Sequence, residues 1–552
     1  MARFDTVNVT FLPEGISVRV VPGVTVLEAA RRADIIIDTP CGGKGTCGRC
    51  RVVMATGAPA PSAEERELLS DDELARGVRL ACGLEVADGM AVEVPASSRF
   101  AGQKILAEGV EATCELAPCV SLDPGDPAGR LLGAAFDIGT TTVVGALLDL
   151  SVDKRLATAM RANPQIPLGD DVIARIGHAS DDGGLGRLRS LVVDCINEMI
   201  AEMCDHAGAA VQSVYEVTFA GNTTMNHILL GIDPTPLAHA PYEAVLLESR
   251  SVKAGELGIR IRPDGRAYTM PNIAGYVGGD TVGVILAAAM DRFDGVQLAL
   301  DVGTNGEIVL GGRRRLVTCS TAAGPAFEGA RIKHGMRAAA GAIERVAVDG
   351  EVRVSVIGDQ PPRGLCGTGV IDAIAELLDA GVIDSTGRML TRDELPATLP
   401  DAVRERVAEV DGQPCFVLVP AGQSASGEAL CLTQRDVRQV QLCKGAISAG
   451  TGIILQEYGV SIDELDRVML AGAFGNYVRA RSVIRIGLLP DVPVEKVEFI
   501  GNAAGTGARM VLAGRACREN AEQVARDTEY VELAGRPDFQ MKFAEAMMFP
   551  ES

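Results

Sequence analysis

The chain has 552 residues with 52 Lys and Arg against 73 Asp and Glu, a net charge of −21. That balance argues against a nucleic-acid or anionic-membrane partner, because binding there relies on cations neutralising phosphates. Apolar runs such as Val282–Met290 are too short to span a bilayer, and no basic stretch followed by an apolar one opens the chain, so a soluble cytoplasmic protein of about three or four domains is expected.

Residues 1–95 read as a small separate domain. Val7–Phe11 alternates like a strand, Gly15 turns it, and Ile16–Val21 returns. Thr25 can cap a helix through Arg32, with Glu28 at the capping-box position. The sequence CGGKGTCGRC follows. Its cysteines are Cys41, Cys47 and Cys50, and the fourth candidate is Cys82, a spacing of C-x5-C-x2-C-x31-C. Four thiolates satisfy a [2Fe–2S] cluster, and the glycines let the loop wrap and turn N–H groups towards sulfur. A structural zinc site also takes four cysteines, but zinc ribbons pair two C-x2-C knuckles and only one is present. The domain resembles [2Fe–2S] ferredoxins of the β-grasp fold over nearly its full length. Its five-residue first gap is similar to the adrenodoxin branch.

Residues 96–130 have little periodicity and end in LDPGDPAGR, which predicts a linker. Cys114 and Cys119 lie in it without a glycine cage and are expected to be free thiols.

Beyond the linker one phrase occurs twice. Residues 136–142 read FDIGTTT and residues 300–306 read LDVGTNG, each inside a strand–turn–strand pattern, with 164 residues between the two Asp positions. An Asp, a Gly backbone and hydroxyls in a tight turn suit a nucleotide phosphate and its Mg²⁺. Two copies with matching flanks favour that over two ordinary hairpins.

The first phrase opens a domain expected over 131–206, with a third strand at Leu156–Arg161 and an amphipathic helix near Leu188–Cys204 that buries Cys195 and Cys204. Residues 207–552 are expected to form the C-terminal ATPase domain. There, strands ending in Gly-containing turns (VYEVTFAGN, VMLAGAFGN, VEFIGNAAG) place those turns where open α/β sheets bind ligands. His227 lies on the helix after the first of these and has no evident partner. A small-residue segment, 319–341, predicts close contact with something flat or bulky, and His334 within it is not expected to ligate a metal. A long helix is predicted over 433–456 with Thr433 as N-cap.

The ordered set of two phosphate hairpins, a long helix and AGAFG resembles the actin, sugar-kinase and heat-shock-chaperone ATPases. There, two RNase-H-like lobes clamp Mg·ATP. The resemblance puts Asp137, Gly139, Thr140, Thr141 and Thr142 on the first phosphate motif and Asp301, Gly303, Thr304 and Asn305 on the second. Gly472, Ala473, Phe474 and Gly475 fall on the adenosine turn. Glu307, directly after the second motif, is expected to act in catalysis with the two Asp residues. With the ferredoxin-like domain in front, and phrases such as GNTTMNH, DVGTNGEI and TAAGPAFEGARI, the whole chain resembles the reductive activators of corrinoid-dependent enzymes, in their [2Fe–2S] branch.

The resemblance implies an α/β multidomain protein that uses ATP and Mg²⁺ to send an electron from a [2Fe–2S] cluster to a Co(II) corrinoid protein, regenerating Co(I) for methyl transfer. Plant-type centres sit near about −400 mV, and the Co(II)/Co(I) couple lies lower, so each 100 mV uphill costs about 2.3 kcal/mol per electron. ATP turnover coupled to conformation can offset that cost. The expected partners are the corrinoid protein and a low-potential electron donor, and the chain is compatible with a homodimer. Segment 319–341 is the candidate face for the corrin, with Ser320 offering a hydroxyl to cobalt. Alternatives are a small-molecule kinase with a redox-sensing ferredoxin domain, an activator of a radical dehydratase, and a non-catalytic electron carrier. Product analysis and ATP hydrolysis separate these. No G-x-G-x-x-G between strand and helix near the cluster domain supports a flavin or nicotinamide reductase.

Overall fold

In a computed structural model, the protein is described over residues 7–551, apart from 14, 21, 34, 36, 38–44, 46, 47, 49, 56, 57, 96, 97, 99–109, 111, 113, 124–128, 411 and 473–477; the side chains of 31, 32 and 359 are also left aside. Cys41, Cys47, Ala473, Phe474 and Gly475 therefore lie outside the described residues. The chain divides into two compact units, Met1–Gly102 with Pro164–His178, and Gln103–Asn163 with Ala179–Ser552.

The first unit holds a five-stranded sheet. Its strands are β1 (Val7–Leu12), β2 (Ile16–Val20), β3 (Arg51–Met54), β4 (Val78–Leu80) and β5 (Met90–Glu93), in the order β2-β1-β5-β3-β4. β1 and β5 are parallel and the other pairs antiparallel. Alternation in β1 sends Val9 and Phe11 fully into the core. The helix Val26–Arg32 buries Val26, Leu27, Ala29 and Ala30 in the same core. Thr25 and Glu28 cap it reciprocally: the Thr25 N–H donates to Glu28 (3.1 Å) and the Glu28 N–H to the Thr25 hydroxyl (3.2 Å). A mixed sheet with one helix over it is the expected β-grasp arrangement.

The second unit contains two six-stranded sheets built alike. The first uses β6 (Leu132–Ile138), β7 (Thr142–Asp149), β8 (Lys154–Ala162), β9 (Val214–Gly221), β10 (Arg250–Lys253) and β11 (Arg266–Thr269), in the order β10-β11-β9-β6-β7-β8. The second uses β12 (Gln297–Val302), β13 (Gly306–Gly312), β14 (Arg315–Thr321), β15 (Arg467–Ala471), β16 (Val497–Gly501) and β17 (Glu529–Tyr530), in the order β16-β15-β12-β13-β14-β17. In each, an antiparallel meander (β6-β7-β8, β12-β13-β14) is extended by a parallel strand beside its first member, β9 or β15. These are the two RNase-H-like lobes.

The boundary expected at 206 falls inside the first sheet. The helix Gly184–His206 is the crossover from β8 to β9, a connection that a parallel pair requires. The first lobe therefore runs on through β11 and the helix Gly279–Ala287.

The expected linker also differs. Val110 and Ala117 within it are hydrogen-bonded into the second unit, to which they belong. The Val110 N–H donates to Ile500 O (3.1 Å), the Ala117 N–H to Ala513 O (3.0 Å), and the Arg515 N–H to Ala117 O (2.8 Å). Cys114, expected to be a free thiol, is disulfide-bonded to Cys517, 403 residues away. The bridge between Ala117 and Gly514 brings the strand across the start of the helix Arg515–Asp527, and Gly514 leaves room for the Cys114 sulfur. Cys119 is free, and Cys195 and Cys204 are buried in their helix as expected.

One helix from each lobe meets its counterpart beneath the sheets. Gly279–Ala287 crosses Ala503–Ala513 at glycines: a Cβ on Gly507 would stand 2.2 Å from the Gly283 Cα. Side chains there would push the lobes apart. Both helices start at the cleft between the two phosphate hairpins, which sets the site described next. Among the described residues no helix is long and apolar enough to cross a membrane.

Candidate functional site

Asp137 and Asp301 each lie near the end of the first strand of a meander, β6 and β12. The preceding residues, Ala135–Phe136 and Ala299–Leu300, are buried, so the sheets hold these strands rigidly up to the Asp. Beyond it the chain turns, and both turns face one cleft. Asp137, Gly139, Thr140, Thr141, Thr142, Asp301, Gly303, Thr304, Asn305, Glu307 and Gly472 all line it. Every described residue assigned from sequence to the phosphate phrases is thus brought together there.

The turns are tight for stated reasons. A Cβ on Gly139 would lie 2.7 Å from Thr142 O, and Gly472 has φ +91° with its would-be Cβ 2.8 Å from Asp301 Oδ1. Asn163 braces the first turn, donating from its side chain to Gly139 O (2.8 Å) and from its backbone to Thr141 O (2.9 Å).

The fold adds residues that sequence did not assign. Asn222 and Asn502 each follow a strand-ending glycine and cap a helix. Asn222 accepts from the Met225 N–H (2.9 Å) and donates to the Thr140 hydroxyl (3.0 Å). Asn502 accepts from the Gly505 N–H (2.7 Å) and donates to Asp137. The shared Gly-Asn at a strand end was the signal for both. Asp280, in the first turn of Gly279–Ala287, lines the cleft too. Only the Gly-Gly-Asp before an apolar helix could have pointed to it.

Four carboxyls, Asp137, Asp280, Asp301 and Glu307, line the cleft together. Burial pushes Asp137 up to about 8, helped by Asp280 and Asp301 and opposed by Asn502. Burial and Asp280 push Asp301 up to about 7. Burial brings Asp280 to about 6 against hydrogen bonds that favour its charge. Glu307 is raised well above the usual carboxylate range by burial, Asp280 and Asp301, with the Ser320 hydroxyl opposing. Such a cluster stores electrostatic repulsion that a divalent cation relieves. Among the described residues no three His, Cys, Asp or Glu side chains are placed to hold a metal ion by themselves. Mg²⁺ does not need one, since one or two carboxylates, phosphates and water commonly complete its octahedron.

Ser320 lies near the end of β14, beside the second hairpin. Its strand β14 pairs with β13 in the register Glu307↔Ser320, and its hydroxyl bonds to Glu307. His227 has partners after all. Its Nδ1 lies 2.7 Å from Thr223 O, and its Nε2 accepts from the Leu246 N–H (3.3 Å), a neutral ring pinning helix to loop. Burial lowers its pKa, consistent with that state. His334 Nε2 stands 3.5 Å from the Cys431 sulfur. The helix Gln434–Tyr458 carries the expected Thr433 cap, with Asp436 completing a capping box.

Of the cysteine cage, Cys50 and Cys82 are described. Cys50 is buried and Cys82 half-buried. The β3–β4 register Arg51↔Leu80 and the bond from the Ala81 N–H to Cys50 O (2.8 Å) put them at the same end of one strand pair. Gly45 and Gly48 take φ +75° and +64°, which glycine adopts freely. Two thiols at the same end of an antiparallel strand pair fit two of the four ligands of a [2Fe–2S] cluster.

Comparison with known proteins agrees with this layout. Residues 9–87 match the 2Fe-2S iron-sulfur cluster binding domain, 132–293 the RACo middle region, and 295–552 the C-terminal domain of RACo, the ASKHA domain. The chain is 37% identical over 424 residues to the corrinoid activation enzyme RamQ of Eubacterium limosum, covering 76% of this chain and 71% of that protein. It is 25% identical over 428 residues to the Co(II) methylated amine-specific corrinoid protein reductase of Methanosarcina barkeri, covering 72% of each. A solved structure titled reductive activator for corrinoid,iron-sulfur protein superposes with a TM-score of 0.71 and 33% identity, covering 99% of this chain and 98% of that one. With an iron–sulfur domain, a middle lobe and an ASKHA lobe in this order, the chain belongs to the RACo family of corrinoid-protein activators.

Proposed function

We infer that this protein is an ATP-dependent reductive activator, which passes a low-potential electron to a Co(II) corrinoid protein and so restores Co(I) for methyl transfer. The observation that carries this reading is the presence, in one chain, of a ferredoxin-type domain and a carboxylate-lined cleft between paired Asp-x-Gly-Thr hairpins. The relatives' names, corrinoid activation enzyme and Co(II) corrinoid protein reductase, support the same substrate.

Cys50 and Cys82, with Cys41 and Cys47, would hold the [2Fe–2S] cluster. When bound, that cluster supplies a one-electron carrier of low potential. A low-potential cellular donor charges it.

In the cleft, the Thr140–Thr142 turn and the Gly303–Asn305 turn offer hydroxyl and N–H donors to the phosphates from opposite sides. Gly472, with Ala473, Phe474 and Gly475, would pack on the adenosine. Asp137 and Asp301 would hold Mg²⁺ through its water shell; the bound ion offsets phosphate charge. Glu307 stands opposite Asp301 on the neighbouring strand, with a carboxyl held above its ordinary range. Its carboxylate takes the proton of the attacking water as general base. The side chains come from both lobes, so nucleotide binding and lobe closure are linked. A corrinoid protein that prefers one closure state is thereby linked to nucleotide as well.

The experiment is ATP hydrolysis by the full chain, alone and with a Co(II) corrinoid protein. Release of ADP and inorganic phosphate that accelerates with the corrinoid protein is expected. No hydrolysis under either condition, or transfer of the phosphate to a small acceptor, contradicts the reading.

A further inference from the structure

Segment 321–341 follows from the end of β14 and brings Glu328 to the cleft. It contains one carboxylate that the phosphate motifs do not account for. The Thr141 hydroxyl donates to Glu328 Oε2 (3.0 Å), and the Thr304 hydroxyl donates to Glu328 Oε1 (3.1 Å). Thr141 belongs to the first hairpin and Thr304 to the second. A single side chain from a third segment thus ties the two hairpins together, using the donors read above as phosphate ligands.

We propose that Glu328 is a positioning residue that senses nucleotide: its carboxylate holds Thr141 and Thr304, and an entering phosphate displaces it and moves segment 325–333. This rests on the reading of the cleft as a nucleotide site. The physical basis is competition. Carboxylate and phosphate are both anionic acceptors, the two hydroxyls have one proton each to donate, and two anions at one spot repel.

The surroundings direct the motion. Ahead of the segment, the Gly324 N–H is bonded to Thr304 O (2.8 Å). Behind it, the Lys333 N–H is bonded to Asp436 Oδ1 (2.8 Å) and the Met336 N–H to Leu365 O (2.8 Å). Between these anchors Glu328 ends a short 3₁₀ turn, Pro325–Glu328. Three residues later Arg331 takes φ +61°, a left-handed conformation that costs a non-glycine residue. The stretch that must move is therefore short, anchored at both ends, and already strained. Arg331 and Lys333 are exposed along it. A docking partner that touches these two cations reads the position of Glu328, and by reciprocity its docking alters nucleotide affinity.

The test measures nucleotide affinity and hydrogen–deuterium exchange of the full-length protein, wild type and Glu328→Gln, with and without Mg²⁺ and a non-hydrolysable ATP analogue. In the wild type, nucleotide is expected to raise exchange over 325–333. In Glu328→Gln that exchange is raised without nucleotide, and affinity is about tenfold tighter because the competing anion is gone. Weaker binding by Glu328→Gln would assign Glu328 to the metal or the chemistry and overturn the proposal, as would exchange over 325–333 that ignores nucleotide in the wild type. Should Glu328→Gln misfold, Thr141→Val removes one of the two donors. It is expected to raise exchange over 325–333 without nucleotide, and unchanged exchange overturns the proposal. A wild type that binds no nucleotide defeats the reading of the cleft instead, and the two failures are told apart by that binding measurement.

Discussion

The two hairpins share a phrase but not a task. In the second, strand register sets Asp301 opposite Glu307, a second carboxylate. In the first, it sets Asp137 opposite Val144, which is apolar. The first turn instead carries three consecutive hydroxyls, Thr140–Thr142, braced by Asn222 and Asn163. The second carries Asn305 and is met by Gly472 from the neighbouring strand. One hairpin is thus a donor cradle with a single acid, and the other pairs its acid with a candidate base. Both sheets have the same strand order, and in the function proposed above they divide binding from chemistry.

The largest way to break this comparison is Asp301→Asn. ATP turnover is expected to fall by on the order of 10²–10³-fold, while the absorption spectrum of the [2Fe–2S] domain stays unchanged. A loss of both would make the change a folding defect. Next, Glu307→Gln is expected to lower kcat with little change in KM, whereas Thr140→Val raises KM by about tenfold with less effect on kcat. Steady-state kinetics of the two variants decides whether the division of labour holds. Gly472→Ala forces a side chain into φ +91° and against Asp301 Oδ1 at 2.8 Å. Nucleotide affinity measured by titration is expected to drop about tenfold or more, from strain of roughly 1–3 kcal/mol.

A smaller effect follows from pH. The carboxyls of Asp137, Asp301 and Asp280 titrate at about 8, 7 and 6 in the folded chain, above their ordinary value. The folded protein therefore binds protons that the unfolded chain has released. This stabilisation is fully present below the unfolded carboxylate range and is lost as pH rises through about 6 to 8. The melting temperature of the nucleotide-free protein should fall between pH 5.5 and 8.5 by about a few degrees, and less steeply with Mg²⁺ and ADP. Smallest is Ser320→Ala, which removes one hydrogen bond to Glu307. A few-fold loss of turnover is expected, about 1 kcal/mol, with the pH profile of kcat shifted upward.

Both hairpins were legible because their residues are contiguous and the backbone itself makes the turns. The capped helices at Thr25 and Thr433 were legible for the same reason. Asp280, Asn502 and Glu328 were not, since each reaches the cleft only when separate strands and helices pack. The bond from Ser320 to Glu307 was not legible either, because the register between β13 and β14 sets it. The boundary at 206 was misplaced because a crossover helix reads from sequence like the end of a domain. Nothing local foretells Cys114 meeting Cys517 across 403 residues.

The central claim is that ATP turnover in this cleft drives an electron onto cobalt. The direct measurement is the Co(I) absorption band of a Co(II) corrinoid protein mixed anaerobically with the reduced full-length protein, with and without Mg·ATP. Co(I) that appears with ATP, and is lost in Asp301→Asn while its iron–sulfur spectrum is intact, is the predicted result. Co(I) formed equally without ATP, or equally by the variant, would contradict it.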